Sequence, residues 1–355
     1  MTAAHSCLRC AVAFVGGFLF ALAAEAAELE YLGVKKNVYS PYSPSIATHV
    51  LSLSGEISRG DTEKLKKLVA NLSQQNVFCE VETPAVIQLN SPGGHFSEGL
   101  RLAAFFRETG IGTLVGNGDR CLSACAVAFL GGTRHLCLDG DFQNYRRLEP
   151  QAQLGFHAPR LAVPDINVSK RMMEAAYNVA VKQIATLIEV AKKSGIQSSL
   201  IVEMLKVGAD GFYYIDTVAK AGRWGFDVAI EAPSTLPPKT LALACANSAA
   251  WRGDQFVPNA DYSVEENFQS YIDERSRGFG KFFMQATGMY ATACMIEIGK
   301  WPNGRMRYWA KFFDETMQAA QQMYTGRRLE AADISLGPLH FFAPETKLAD
   351  IYGGR

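Results

Sequence analysis

The chain has 355 residues, of which 48% are hydrophobic, so it can bury a sizeable core and is not a disordered segment. Lys plus Arg and Asp plus Glu each number 35, which gives a formal net charge of zero. A neutral chain lacks the basic surplus typical of nucleic-acid binding, and no charge block predicts a membrane-surface patch.

The first 26 residues are predicted to be a secretory signal peptide. Arg9 supplies a positive charge, an apolar run extends from Ala11 to Ala24, and Ala24-Glu25-Ala26 fits a signal-peptidase site. An uncleaved membrane anchor is the alternative, although a span needs roughly 20 apolar residues and this run is shorter. We therefore expect a periplasmic or secreted protein.

The cysteines are consistent with export. Of the eight, two lie in the predicted signal peptide and six remain, an even number that indicates disulfides in an exported chain. Cys245 and Cys294 are predicted to pair because they are the cysteines of the C-terminal part. The other four are expected to pair among themselves in an order that the sequence leaves open: Cys79, Cys121, Cys125 and Cys137. Zinc is the alternative, but the C-x2-C pair, Cys7 and Cys10, lies in the predicted signal peptide and the mature chain has no close histidine pair, so no metal site is predicted.

Strands and helices alternate between residues 45 and 232, which predicts an α/β fold with a mostly parallel sheet. Apolar periodicity predicts strands at 48–57, 84–89, 112–115, 134–138, 153–156, 212–215 and 226–230, and helices at 61–73, 96–109, 123–130, 169–193 and 198–206. The alternation stops at a proline-rich junction. We therefore predict one domain over 27–237 and a C-terminal region of uncertain fold over 238–355.

Three motifs in the first domain carry residues suited to acyl-transfer chemistry. The turn Asn90-Ser91-Pro92-Gly93-Gly94 follows a strand and could aim backbone N–H groups into a cleft, although an ordinary turn would look the same. Ser123 precedes small residues at a predicted helix start, where it is either a nucleophile or a helix cap. His157 ends a strand and is either a general base or a structural histidine.

In this order the three motifs resemble the proteolytic subunit of Clp protease and its exported ClpP-like relatives, within the crotonase-like superfamily. The resemblance covers residues 45–232, about half of the chain. It implies a core of repeated ββα units and a serine peptidase that hydrolyses peptide bonds. It implies no cofactor and a peptide or polypeptide substrate, and it leaves a homo-oligomer open. No ATPase-docking element is evident in the sequence.

The resemblance also implies roles for individual residues. Ser123 would be the nucleophile and His157 its base, with Asp210 orienting the histidine and Asp216 as the second candidate. Gly93 or Gly94 and the residue after the serine, Ala124, would form the oxyanion hole.

Several alternatives remain at the level of sequence. Cys121 and Cys125 flank the serine and could supply a thiol nucleophile, although a cysteine in an exported chain is more often disulfide-bonded. His95 and His135 are weaker candidates for the base. A non-catalytic peptide-binding module could keep the same cleft. An acyl-CoA enzyme is a third function for this fold, but export argues against it.

Overall fold

The computed structural model describes residues 27–36, 47–73, 85–135, 142–160, 169–254, 268–271, 280–286, 292–300, 306–313 and 334–351. The predicted signal peptide lies outside these ranges, as do Cys79 and Cys137. Among the described helices, none combines the length and the hydropathy that crossing a bilayer requires.

Six of the described strands form the main sheet, in the spatial order β1-β2-β3-β4-β8-β11. Their bounds are Glu28–Lys36, Ala47–Ser54, Ala85–Asn90, Ile111–Val115, Arg146–Leu148 and Asp227–Val228. β1 pairs antiparallel with β2, and every other neighbouring pair is parallel. Leu51, Ile87 and Leu89 are fully buried because helices and loops cover the central strands. The α/β class with a mostly parallel sheet is confirmed, and the ββα repeat stays a prediction.

A second, three-stranded sheet carries the candidate site. It joins β5 (Arg120–Leu122), β9 (Gln153–Phe156) and β10 (Tyr213–Tyr214), with β9 in the centre. β5 and β9 run parallel, with Leu122 opposite Gly155. Since parallel strands end at the same edge of a sheet, the residues that follow β5 and β9 come together.

The helices of this region are α1 (Asp61–Ser73), α2 (Phe96–Thr109), α3 (Ala124–Phe129), α4 (Lys170–Lys193), α5 (Ser198–Val207) and α6 (Val218–Arg223). A short antiparallel pair, β6 (Thr133–His135) with β7 (Phe142–Asn144), completes it. α2 and α3 pack very closely, because a Cβ at Gly99 would lie only 2.3 Å from the carbonyl oxygen of Ala124. The small residues of both helices therefore bring α3 against the core.

The C-terminal part is built differently. It begins with α7 (Pro238–Arg252) and continues in an antiparallel sheet of β12 (Phe268–Tyr271), β13 (Gly280–Ala286), β14 (Thr292–Lys300), β15 (Met306–Phe313) and β16 (Ile334–Leu336). A 3-10 turn (Pro338–Phe341) and α8 (Leu348–Ile351) follow. This sheet was not predicted from the sequence.

The predicted disulfide between Cys245 and Cys294 is confirmed and joins α7 to β14, with a Cα–Cα distance of 6.1 Å. Around it lies a hydrophobic cluster of its own, which includes Leu241, Ile296 and Leu336. Other residues of the C-terminal part, such as Trp251 and Leu348, belong to the core of the α/β region. The division of the chain into domains at residue 237 stays a prediction.

Candidate active site

Ser123 occupies the sharp turn between β5 and α3. Its φ of 56° and ψ of −121° lie in a region that residues with a side chain rarely adopt. Such a conformation costs of order 1–3 kcal/mol and is characteristic of functional sites. The backbone is held on both sides, because the N–H of Ser123 donates to Gly155 (2.9 Å) and its carbonyl accepts from Val127 (3.1 Å). Its side chain makes no capping hydrogen bond, so the helix-cap interpretation does not describe this serine.

His157 faces the serine from the end of β9. Its Nε2 lies 2.7 Å from the Ser123 hydroxyl oxygen, and its Nδ1 lies 2.7 Å from the carbonyl oxygen of Ala158. A carbonyl can only accept, so Nδ1 carries the proton and Nε2 has a free lone pair for the serine hydroxyl. The edge-to-face ring of Phe212, 5.0 Å away between centroids, packs against the imidazole. The histidine is thus oriented as a base for Ser123.

The structure does not bring the predicted aspartate to this histidine. The Asp210 side chain is 92% exposed, and its carboxylate lies 3.9 Å from the Arg160 guanidinium. The carboxylate of the second candidate, Asp216, accepts from Lys220 at 2.6 Å. The third member of the predicted triad is therefore wrong. The Ala158 carbonyl, and not an aspartate, accepts the hydrogen bond from His157 Nδ1.

The glycine turn runs between Ile57 on one side and the strand that leads to Ser123 on the other. A Cβ at Gly93 would lie 2.6 Å from the Ser123 Cβ and 3.2 Å from the amide nitrogen of Ala124. Gly93 and Gly94 have φ values of 105° and 132°, which favour glycine. The turn therefore adjoins the serine as predicted from the sequence.

The N–H groups of the two glycines differ. That of Gly93 donates to the Ser91 hydroxyl (3.1 Å), so it is already engaged. The Ile57 N–H donates to the Gly93 carbonyl, and the Ile57 carbonyl accepts from the His95 N–H. In this parallel bridge the N–H of Gly94 faces away from Ile57. That N–H makes no hydrogen bond within the described part of the chain, and the Ala124 N–H begins a helix without an intrahelical acceptor. Gly94 and Ala124 are thus better placed than Gly93 as oxyanion donors.

Cys121 and Cys125 form a disulfide across the serine, with a Cα–Cα distance of 5.1 Å. Both are fully buried. Neither can serve as a thiol nucleophile while the bond is formed. This pairing agrees with the expectation for the four N-terminal cysteines, of which the other two lie outside the described residues.

The remaining histidine candidates have other partners. His95 accepts from the Arg59 guanidinium at 2.8 Å through its Nε2. Its burial and the charge of Arg59 lower its pKa, so it is neutral at physiological pH. His135 is the last residue of β6, opposite Phe142.

Sequence reasoning missed two contributors to the site. Ser91 is fully buried, and its hydroxyl positions the turn by accepting from the Gly93 N–H. The Ser-x-Gly spacing could have indicated this local hydrogen bond between a side chain and the backbone. Ala158 acts through its backbone carbonyl, so no side-chain pattern could have identified it.

Taken together, these residues make the chain an α/β protein with a strained serine, a paired histidine and a glycine turn in one site. No family model matches the chain, and no curated protein matches it. Among solved structures, it is similar to a mutant of the 1510-N membrane-bound stomatin-specific protease, at 16% identity and a TM-score of 0.35. The similarity covers 50% of this chain and 77% of that one.

Proposed function

We propose that this protein is an exported serine peptidase that hydrolyses peptide bonds, with Ser123 as nucleophile and His157 as general base. The observation that carries the proposal is the 2.7 Å contact between the Ser123 hydroxyl and His157 Nε2, made by a serine with a positive φ. A helix cap would not need this conformation, and a structural histidine would not need this partner. A serine hydroxyl needs an adjacent base to attack a carbonyl at neutral pH.

In the proposed reaction, His157 Nε2 takes the hydroxyl proton as the Ser123 oxygen bonds to the peptide carbonyl carbon. Negative charge then develops on the carbonyl oxygen, and the N–H groups of Gly94 and Ala124 are the proposed donors to it. His157 returns the proton to the leaving amine, which leaves an acyl-enzyme. A water molecule, deprotonated by the same nitrogen, hydrolyses that ester and restores the serine.

The Ala158 carbonyl has a distinct role in this mechanism. It keeps the proton on Nδ1 and so presents the basic nitrogen to Ser123, as a carboxylate does in a triad. A carbonyl carries only a partial charge, so it stabilises the transient imidazolium less than a carboxylate would. We therefore expect a Ser–His pair with lower turnover than a full triad.

Export is part of the proposal and rests on two further observations. The sequence begins with a predicted signal peptide, and the described residues contain two disulfides. Disulfides persist in oxidising compartments such as the periplasm. A peptide or an unfolded polypeptide segment is the proposed substrate.

Labelling with a fluorophosphonate probe tests the proposal, because the probe bonds only to an activated serine. The wild-type protein should be labelled, and Ser123→Ala and His157→Gln should each lose labelling by at least about 10³-fold in rate. Ser97→Ala is the matched control, since that hydroxyl contacts Gln183 and not a histidine. Undiminished labelling of Ser123→Ala would refute the assignment.

The alternative is a peptide-binding module with a degenerate site, and the absence of Asp210 from the His157 ring favours it. This module would bind extended peptides without reacting with the probe. A folded wild-type protein that binds peptides but stays unlabelled would replace the peptidase proposal with this one.

A further inference from the structure

A cavity of about 370 Å³ lies away from the candidate active site, between the α/β region and the C-terminal part. Its lining combines charged, polar and aromatic residues, among them Arg146, Gln197, Trp224, Ser248, Trp251 and His340. Arg146 hydrogen-bonds the carbonyl of Leu130, just beyond the end of α3 opposite to Ser123. Cavities of this size commonly hold small organic ligands.

Arg146 is a buried cation without a counter-ion among the residues that the structure describes. The residue is 3% exposed, and among the described residues no carboxylate lies within 4.0 Å of its guanidinium. Asp227 also lines the cavity, but its contact is with Arg147 at 4.0 Å. Burial lowers the pKa of Arg146 to about 9, so it is still charged at neutral pH.

The hydrogen bonds of Arg146 are to neutral groups. It donates to the Leu130 carbonyl at the long distance of 3.5 Å. The Asn144 side chain is oriented so that its amide nitrogen donates to the Ser194 carbonyl. Its amide oxygen then accepts from Arg146 Nη2 at 3.0 Å. The guanidinium also lies over the Phe226 ring, with its carbon 5.9 Å from the ring centroid. A buried charge is normally paired with an opposite charge, and dipoles and a ring face replace that partner only in part.

Four buried polar atoms around the same cavity have no hydrogen-bond partner within the described structure. They are Arg146 Nε, Gln197 Oε1, Ser248 Oγ and Trp251 Nε1. Such atoms are rare in folded proteins, and a polar group bound in the cavity would supply partners of the kind that they lack. Two of the four, Arg146 Nε and Trp251 Nε1, are obligate donors, and the Ser248 hydroxyl can donate as well.

The charges of the cavity define the ligand. Arg223 is already paired with Asp254 at 2.7 Å, and burial lowers the pKa of His340 to about 4, so this histidine is neutral. Arg252 is exposed and lies over the Phe312 ring. Among the described residues that line the cavity, one uncompensated buried cation therefore remains, which matches one negative charge rather than the two of a phosphate monoester.

We propose that this cavity binds a small organic monocarboxylate, whose carboxylate pairs with Arg146 and whose apolar body contacts Trp224, Phe226 and Trp251. The bound acid would also bridge the α/β region and the C-terminal part, because Trp251 lies in α7 and Arg146 in β8. The proposal is independent of the peptidase function, since the cavity shares no residue with the candidate active site.

Isothermal titration calorimetry with matched pairs of compounds tests it on the full mature chain. Benzoate, indole-3-acetate and octanoate are compared with benzamide, indole-3-acetamide and octanamide, which keep the shape and lack the charge. At least one carboxylate should bind with a Kd below about 1 mM and about tenfold or more tighter than its amide. Absence of binding by all three acids at 10 mM, or equal affinity of acid and amide, would overturn the proposal.

Variants separate a ligand-binding role of Arg146 from a structural one. Arg146→Met should weaken the carboxylate at least about tenfold while leaving the Tm of the free protein unchanged or higher, because an unpaired buried charge is removed. Arg171→Gln, which removes an exposed charge on α4, should bind normally. If Arg146→Met does not fold, Trp251→Phe keeps an aromatic ring but removes the indole N–H, and it should weaken the carboxylate about threefold or more. Unchanged affinity in the variant that folds would refute the site.

Discussion

The two disulfides of the described residues differ in what they stabilise. Cys121–Cys125 spans 4 positions around Ser123, whereas Cys245–Cys294 spans 49 and fastens α7 to the C-terminal sheet. The loop-entropy relation gives about 2 kcal/mol for the short loop and about 4 kcal/mol for the long one. The long bridge thus contributes mainly to global stability, and the short bridge mainly to the conformation of five residues.

This difference matters because the short bridge encloses a strained residue. The positive φ of Ser123 is unfavourable by itself, so neighbouring contacts must maintain it. Hydrogen bonds to Gly155 and from Val127, the close approach of Gly93 and the disulfide all act on this one turn. The C-terminal bridge, by contrast, joins two regular elements that carry no candidate catalytic group.

The largest effect on turnover, short of removing Ser123 or His157, is expected from Gly93→Ala. The new methyl group would lie 2.6 Å from the Ser123 Cβ and 2.7 Å from the Leu122 carbonyl oxygen, so the serine turn must shift. Peptidase turnover should fall by about 10²–10³, which is the range for a disturbed oxyanion site.

Gly118→Ala is the matched control for that substitution. Gly118 also has a positive φ, but nothing lies within 4 Å of the place that a Cβ would occupy there. Both variants share the backbone strain, and only Gly93→Ala adds the clash. Equal turnover in the two would show that the approach of Gly93 to Ser123 is unimportant.

The second effect concerns the short bridge. Replacing Cys121 and Cys125 by serine should lower the rate of fluorophosphonate labelling about tenfold or more, since small displacements of a nucleophile are costly. The free energy of unfolding should fall by only about 2 kcal/mol. Labelling kinetics and urea denaturation measure the two quantities. A variant that loses stability but labels at the wild-type rate would show that packing alone holds the serine.

The third effect concerns the long bridge and should have the opposite pattern. With Cys245 and Cys294 both changed to serine, the free energy of unfolding should fall by roughly 4 kcal/mol. The labelling rate of the protein that remains folded should change less than about threefold, because the bond lies outside the site. A loss of labelling comparable to that of the short-bridge variant would contradict the separation of the two roles.

The smallest effect is expected from Asp210→Asn. A triad aspartate changed to asparagine reduces turnover by about 10⁴. Here the exposed carboxylate contacts Arg160 instead of His157, so turnover should stay within about twofold of wild type. A large loss would mean that Asp210 reaches the histidine when substrate is bound. Asp216→Asn provides the parallel measurement for the second candidate.

The sequence predicted two long helices and one short strand with their observed bounds. The helices at 61–73 and 96–109 and the strand at 153–156 have the predicted bounds. β5 was missed because it has only three residues, one of them an arginine, which is too few to show an alternation of polar and apolar residues. The antiparallel C-terminal sheet was missed because its prediction depends on distant pairings that local patterns do not reveal.

In the candidate site, the predictable residues were those that act through their side chains. Ser123, His157 and the glycine turn could be placed together from their order along the chain and from the family resemblance that this order supports. The Asp210 contact was wrong because the fold brings a backbone carbonyl to the histidine, and any residue type could supply it. The hydrogen bond from the Gly93 N–H to the Ser91 hydroxyl could not be predicted either, since it depends on the rotamer of Ser91.

The parallel pairing of β5 with β9 has a consequence for how this site can vary in evolution. Ser123 and His157 follow strands whose alignment is fixed by the pairing of Leu122 with Gly155. Inserting or deleting one residue in either strand would displace one partner by about 3.3 Å and turn it to the opposite face. Length changes should therefore accumulate in the surrounding loops, while the spacing from each strand to its functional residue stays constant.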